Sequence, residues 1–168
     1  MNSVCCEKRS ALIAWLLLTT AVFGIRGLHA TEQSEPKPEI PSAERYTKFE
    51  HRIPMRDGTH LFTAVYVPKD ATHTYPFLVS RTPYSAKPYG IDKYPGTVGP
   101  SKRFDQAGYI FVYQDVRGKW RSDGEYVHVR PFLAAGSNPN DVDESTDTYD
   151  TIEWLLANVP QHNGAVGF

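Results

Sequence analysis

The run YIFVYQDVRG, Tyr109 to Gly118, constrains this chain more than any other stretch. Aromatic and β-branched residues lead it, and it breaks into a charged turn at Asp115, Arg117 and Gly118. That composition predicts a strand. Upstream, FLVS (Phe77–Ser80) is a short continuous apolar run inside YPFLVSRTPYS, Tyr75 to Ser85. It reads as a second strand, one buried on both faces. Such strands need a layer of structure on each side of the sheet, which points to a mixture of helices and strands.

The flanking segments supply those layers. AKPYGIDKYPGTVGP is rich in Gly, Pro and Tyr and is expected as a loop. SKRFDQAGY reads as a short helix ending at Gly108. After the irregular stretch KWRSDGEYVHVRPFLAAGSNPN come Asp141, Asp143 and Glu144, carboxylates placed to favour a helix start. Tyr149, Ile152, Leu155, Leu156 and Val159 then mark one apolar helical face. Pro160 and Asn163-Gly164 end it, and AVGF begins another strand. At the front, YTKFEHRIPM alternates in polarity and reaches the turn Arg56-Asp57-Gly58. HLFTAVYVP follows, with Leu61, Thr63, Val65 and Val67 on one side. Two β-rich runs across an Asp-Gly turn predict an antiparallel hairpin. The fold class is therefore α/β, with the hairpin as the antiparallel edge of the sheet.

Residues 1–30 read as a secretory signal. Lys8 and Arg9 precede the apolar run Ala11–Ile25, and Leu28-His29-Ala30 forms a cleavage site. The run falls short of the ~20 residues that span a bilayer, so no stable membrane insertion is expected after cleavage. Residues 31–44, with three prolines, read as an extended linker, and 45–168 as the folded portion. The expected location is secreted or periplasmic. Taking Lys8, Arg9, Arg26 and Glu7 away from 18 basic and 19 acidic residues leaves 15 against 18, a net of −3. Nothing in that balance suits a nucleic-acid partner. Both cysteines, Cys5 and Cys6, lie in the signal, so the mature chain has no thiol chemistry and no disulfide.

A self-contained catalytic set is not found. There is no Gly-x-Ser-x-Gly, phosphate-binding glycine loop or His-Glu-x-x-His. His51, His60, His73, His128 and His162 lack ligand spacing, and no metal or cofactor is expected. The acidic run DVDESTDTYD lacks the glycine and terminal glutamate of a calcium loop, and reads as a solvated helix start. RTPYS and DVRGKWRSDGEY sit at the ends of successive strands, where α/β proteins place their sites. Asp115 and Arg117 there could pair or cap a turn, and Gly118 would let the chain reverse. A structural role, holding the loop over the sheet edge, is the preferred reading of that pair.

RTPYS, DVRGKWRSDGEY and STDTYDTIEWLLANVPQHNGAVGF together resemble the N-terminal part of the α/β-hydrolases related to cocaine esterase and Xaa-Pro dipeptidyl-peptidases. RPFLAAGSNPNDVDESTDTYDTIEWL is most similar to the branch of α-amino-acid ester hydrolases and glutaryl-type β-lactam acylases. The likeness runs from about Tyr46 to Phe168. It implies a mixed, mostly parallel sheet with helices on both faces, and hydrolysis of small-molecule esters or amides by a Ser-His-Asp triad. It also implies that the tyrosine of Arg-Thr-Pro-Tyr, here Tyr84, gives its hydroxyl to the oxyanion hole. The alternative for Tyr84 is an ordinary tyrosine packed on a strand end.

In the resembling family the strand begun by NGxVG leads into the Gly-x-Ser-x-Gly elbow. Here that strand stops at Phe168, so nucleophile, acid and base are absent from these residues. The expectation is an incomplete hydrolase fold, truncated before the elbow and inactive alone. Its open strand edges and uncovered apolar face would favour aggregation or partial unfolding. A non-catalytic secreted binding module, or half of a complementing pair, are the other readings.

Overall fold

The computed structural model describes residues 40–134, 138 and 141–168. The expected signal peptide and most of the expected linker lie outside them. The described linker residues include α1 (Ser42–Arg45), which packs on the domain through Ser42 Oγ donating to the Gly96 carbonyl at 3.1 Å. The last residues of the expected linker are thus helical.

The hairpin forms from β1 (Tyr46–Pro54) and β2 (His60–Pro68), paired from Tyr46 opposite Pro68 to Pro54 opposite His60. Its loop is closed by Met55 N–H donating to the Thr59 carbonyl and by Thr59 N–H donating to Asp57 Oδ1. Gly58, at φ +81°, supplies the left-handed residue that the turn requires. β3 (Tyr75–Thr82), α2 (Lys102–Ala107), β4 (Ile110–Asp115), α3 (Glu144–Asn158) and β5 (His162–Gly167) follow in order. Gly108 terminates α2 at φ +81°.

The five strands lie in the order β1-β2-β4-β3-β5. β1-β2 and β2-β4 are antiparallel, whereas β4-β3 and β3-β5 are parallel. The sheet is thus mixed as expected, but its pairings divide evenly rather than favouring parallel ones. β4 flanks β3 on one side and β5 flanks it on the other. Two right-handed crossovers therefore send α2 and α3 to opposite faces of the sheet.

Each face has its own core. Under α3, Leu155 and Val159 meet Ile53, Leu61, Val65, Phe77, Val79, Ile110 and Val112. On the other face Tyr46, Phe62, Ala64, Tyr66 and Phe111 lie beneath Ala86 and Val98 of the long loop before α2. Full burial of a side chain such as Leu155 or Phe111 contributes about 1.5–3 kcal/mol. β2 and β4 are the strands buried on both faces. β3 is not: Phe77 and Val79 are buried, but Leu78 is half-buried and Ser80 exposed. The face of β3 and β5 away from α3 is left open, and Ala165 is exposed there too.

β1 inverts the simple reading of its alternation. Phe49 is exposed while the Lys48 side chain is fully buried. The Lys48 ammonium donates to the carbonyls of Pro88 (2.5 Å), Gly90 (2.8 Å) and Lys93 (3.1 Å), and it lies 3.1 Å from Glu50 Oε1. Four oxygens replace the water that a buried ammonium loses, and they tie the long loop to the sheet.

α3 departs from its expected face. Tyr149 is exposed, and the innermost positions are Asp147, Thr151 and Leu155. The acidic run is not a solvated helix start, because Asp143 and Asp147 are both buried. Asp143 caps the helix: its carboxylate accepts from Thr146 N–H at 2.7 Å, and the Thr146 hydroxyl accepts from Asp143 N–H at 2.8 Å. Backbone N–H groups of Leu133 and Thr146 hold its carboxyl below the usual range.

Candidate active-site edge

Parallel pairing brings the C-terminal ends of β3, β4 and β5 to one edge of the sheet. Thr82 of β3 sits opposite Asp115 of β4, and Val116 N–H donates to the Thr82 carbonyl at 3.2 Å. RTPYS and DVRG, distant in sequence, become neighbours through that register. Asp115 joins them physically. Its fully buried carboxylate accepts from Ala86 N–H at 2.6 Å, Tyr89 O–H at 2.9 Å and Arg121 N–H at 3.3 Å. The Asp115 carbonyl accepts from Ser122 Oγ at 2.6 Å. One residue thus anchors the loop after β3 and the loop after β4.

Asp115 and Arg117 have separate partners. Arg117 reaches the other way, to Asp147 of α3 through Nε (3.1 Å) and Nη2 (2.6 Å). It also takes Asp57 of the hairpin turn, from Nη1 at 2.7 Å and Nη2 at 3.3 Å. Burial alone would weaken the guanidinium charge, yet hydrogen bonds to the two carboxylates raise its pKa. Burial likewise opposes the Asp57 charge, but bonds from Arg117 and Thr59 outweigh it and keep its carboxyl below the usual range. Arg81 continues this layer. It donates to Gln114 Oε1 at 2.7 Å and to the Thr148 hydroxyl at 2.8 Å. Gln114 in turn donates to Thr63 (3.0 Å) and Thr151 (2.9 Å), so this buried amide is satisfied at both ends.

Gly118 turns the chain at φ +70°. A Cβ there would stand 2.1 Å from Tyr126 N and 2.5 Å from Glu125 C, both backbone atoms that cannot swing aside. Gly118→Ala is therefore expected to cost about 1–3 kcal/mol or more, measured by thermal unfolding. Gly58→Ala is the comparison: it shares the positive φ but meets nothing within 4 Å, so the excess cost at Gly118 isolates the clash.

Tyr84 follows directly on this scaffold. It is 85% exposed, and among the described residues its phenol has no hydrogen-bond partner. The alternative of a tyrosine packed on the strand end does not describe it. Its backbone, by contrast, is held. Tyr84 N–H donates to Thr82 Oγ1 at 3.0 Å, and Trp120 Nε1–H donates to the Pro83 carbonyl at 3.0 Å. Ser85 next to it sits at φ +95°, a left-handed conformation that costs a non-glycine residue about 1–3 kcal/mol. Its hydroxyl shares a 2.9 Å hydrogen bond with Tyr89, which leads on to Asp115.

The histidines are engaged elsewhere. His51 lies against Trp154 with tilted rings (4.8 Å), His162 stacks on Phe77 (5.5 Å) and His128 meets Tyr126 edge-on (6.4 Å). Burial alone lowers the pKa of His51. Among the described residues no group of His, Cys, Asp and Glu is arranged to hold a metal ion, and no helix is long and apolar enough to cross a membrane.

Three comparisons place this architecture among known proteins. The family model described as X-Pro dipeptidyl-peptidase (S15 family) matches residues 57–168. Cocaine esterase from Rhodococcus sp. (strain MB1 Bresler) is 34% identical over 106 residues, which are 62% of this chain and 16% of the esterase. A solved α-amino acid ester hydrolase superposes with a TM-score of 0.62 at 39% identity, covering 84% of this chain and 24% of that one. An aminopeptidase from a marine sediment Thaumarchaeota archaeon gives 0.59 at 39% identity, covering 78% and 22%. The chain thus spans a quarter or less of the length of each of these relatives. The strand order, the mixed sheet and a family match over two separated loop motifs agree, and the chain belongs to the X-Pro dipeptidyl-peptidase (S15) family of hydrolases.

Proposed function

We propose that this domain supplies the oxyanion-binding side of a secreted or periplasmic serine hydrolase that cleaves small-molecule esters or amides. α-Amino-acid esters and β-lactam-type acyl compounds are its substrate class. The observation that carries the reading is Tyr84, an exposed phenol without a partner among the described residues, on a fixed backbone at the sheet edge where α/β sheets bind ligands. The relatives support it, since an ester hydrolase and an aminopeptidase share this part of their fold with the chain.

In this mechanism a serine hydroxyl attacks the substrate carbonyl while a histidine takes its proton and an aspartate orients the histidine. The carbonyl oxygen gains negative charge and accepts from Tyr84 O–H and from a backbone N–H beside the serine. Collapse of the tetrahedral species expels the alcohol or amine and leaves an acyl-enzyme, which water hydrolyses. Met1–Phe168 contains no Gly-x-Ser-x-Gly, so the proposal takes nucleophile, histidine and aspartate from sequence outside it. The Asp115 carboxylate is already engaged by three hydrogen bonds that tie the two loops together, a structural role.

Activity-based labelling tests this directly. Residues 31–168 alone are expected to neither hydrolyse an aryl ester nor react with a fluorophosphonate probe. The same domain within a polypeptide that supplies the elbow is expected to label at a single serine. Labelling of residues 31–168 by themselves, or a non-serine adduct in the longer polypeptide, would overturn the proposal.

A further inference from the structure

Given the reading of Tyr84 as oxyanion donor, on which this inference rests, we infer that Trp120 is its positioning residue. The peptide plane between Pro83 and Tyr84 has two polar groups, and both are bound. The N–H donates to Thr82 Oγ1, from within the same turn, and the carbonyl accepts from Trp120 Nε1, from the loop after β4. The next anchor along the chain is Ala86 N–H on Asp115. Clamping that plane fixes the N–Cα bond of Tyr84, and with the Ala86 anchor two residues on it narrows the directions open to the Cα–Cβ bond that carries the phenol.

Ordinary packing does not account for Trp120. The residue is 64% exposed, so apolar burial gives little reason for an indole there. Its backbone stands at φ +50°, in the left-handed region that a bulky residue seldom adopts. Two non-glycine residues in that region, Ser85 and Trp120, therefore stand beside the Trp120–Pro83 hydrogen bond that joins the two loops. Backbone strain of this kind gathers where the surrounding structure fixes a functional group. Asp115 holds both ends of the arrangement, Ala86 on one loop and Arg121, next to Trp120, on the other.

Trp120→Phe keeps an aromatic ring and deletes the N–H, and an unchanged unfolding temperature checks that the fold is kept. In the active hydrolase carrying this domain, kcat is expected to fall about tenfold with KM nearly unchanged, because a misplaced donor weakens the transition state rather than substrate binding. The Tyr84 amide is expected to exchange its hydrogen about tenfold faster once the plane is released. Combining Trp120→Phe with Tyr84→Phe should slow the enzyme no more than Tyr84→Phe alone. Unchanged amide exchange, or fully multiplicative losses in the double variant, would overturn the inference. Should Tyr84→Phe by itself leave kcat intact, the oxyanion reading fails, while the amide exchange still decides whether Trp120 holds the turn.

Discussion

Tyr84→Phe is expected to lower kcat of the hydrolase carrying this domain by about 10²–10³-fold, with KM changed little. The substitution removes a single oxygen from an exposed side chain that has no hydrogen-bond partner among the described residues, so none of their bonds is lost. Folding stability should therefore stay within about 0.5 kcal/mol of the parent. The catalytic loss follows from what the hydroxyl does. It donates to an oxygen that carries little charge in the bound substrate and full charge in the tetrahedral species. An interaction that strengthens only along that path raises kcat and leaves ground-state binding alone. Steady-state kinetics on an aryl ester measure it. A loss below about threefold, or one confined to KM, removes Tyr84 from the oxyanion hole.

The second large effect is structural. Asp147 is 1% exposed and takes two hydrogen bonds from Arg117, with Arg81 Nη2 at 3.6 Å. Asp147→Ala takes one of two counter-charges from each of two largely buried guanidinium groups, Arg117 keeping Asp57 and Arg81 keeping Glu144, which costs about 3 kcal/mol, the low end for a broken buried pair. For a domain of this size that lowers the unfolding temperature by on the order of 10 °C. Asp150→Ala is the control. It too removes an α3 carboxylate paired with an arginine, Arg56, but that pair lies nearer solvent and should contribute under about 1 kcal/mol. Equal thermal shifts for the two variants would show that Asp147 does not hold this layer together.

These two residues also mark how far the site could be read in advance. Tyr84 came from a motif, Arg-Thr-Pro-Tyr, whose chemistry a related family discloses. The geometry adds that its phenol is free and its backbone fixed. Asp115 stood out as a carboxylate ending a strong strand, yet its partners, Ala86, Tyr89 and Arg121, are separated from it by loops of no regular pattern. Asp147 was hidden for a physical reason. Periodicity rewards apolar residues, so a helix whose innermost positions begin Asp147, Thr151 shows its buried stripe one step away from the true one. Spacing of i, i+4, i+8 through Asp147, Thr151 and Leu155 was the available signal, and only a buried arginine opposite could have made it meaningful. Trp120 lies within DVRGKWRSDGEY, yet nothing local marks its role, because its hydrogen bond to Pro83 joins residues 37 apart.

The sequence by itself determined the elements and their kind: an antiparallel hairpin, a helix stopped at Gly108, a strong strand at Ile110–Asp115 and a helix begun by acidic residues. Those features follow from local causes, namely side-chain period, turn chemistry and caps, which act within a few residues. It also determined the family, since its motifs survive as contiguous residues. Tertiary structure alone decided which faces are buried and what each charge is for. Lys48 points inward and Phe49 outward because the long loop offers three carbonyls to an ammonium. β3 is covered on one face because α3 lies there, while the other face stays open at Ser80. Asp115 became the joint between two loops because parallel pairing set it opposite Thr82. A buried charge or an open face depends on groups far along the chain, and no local pattern encodes where they will meet.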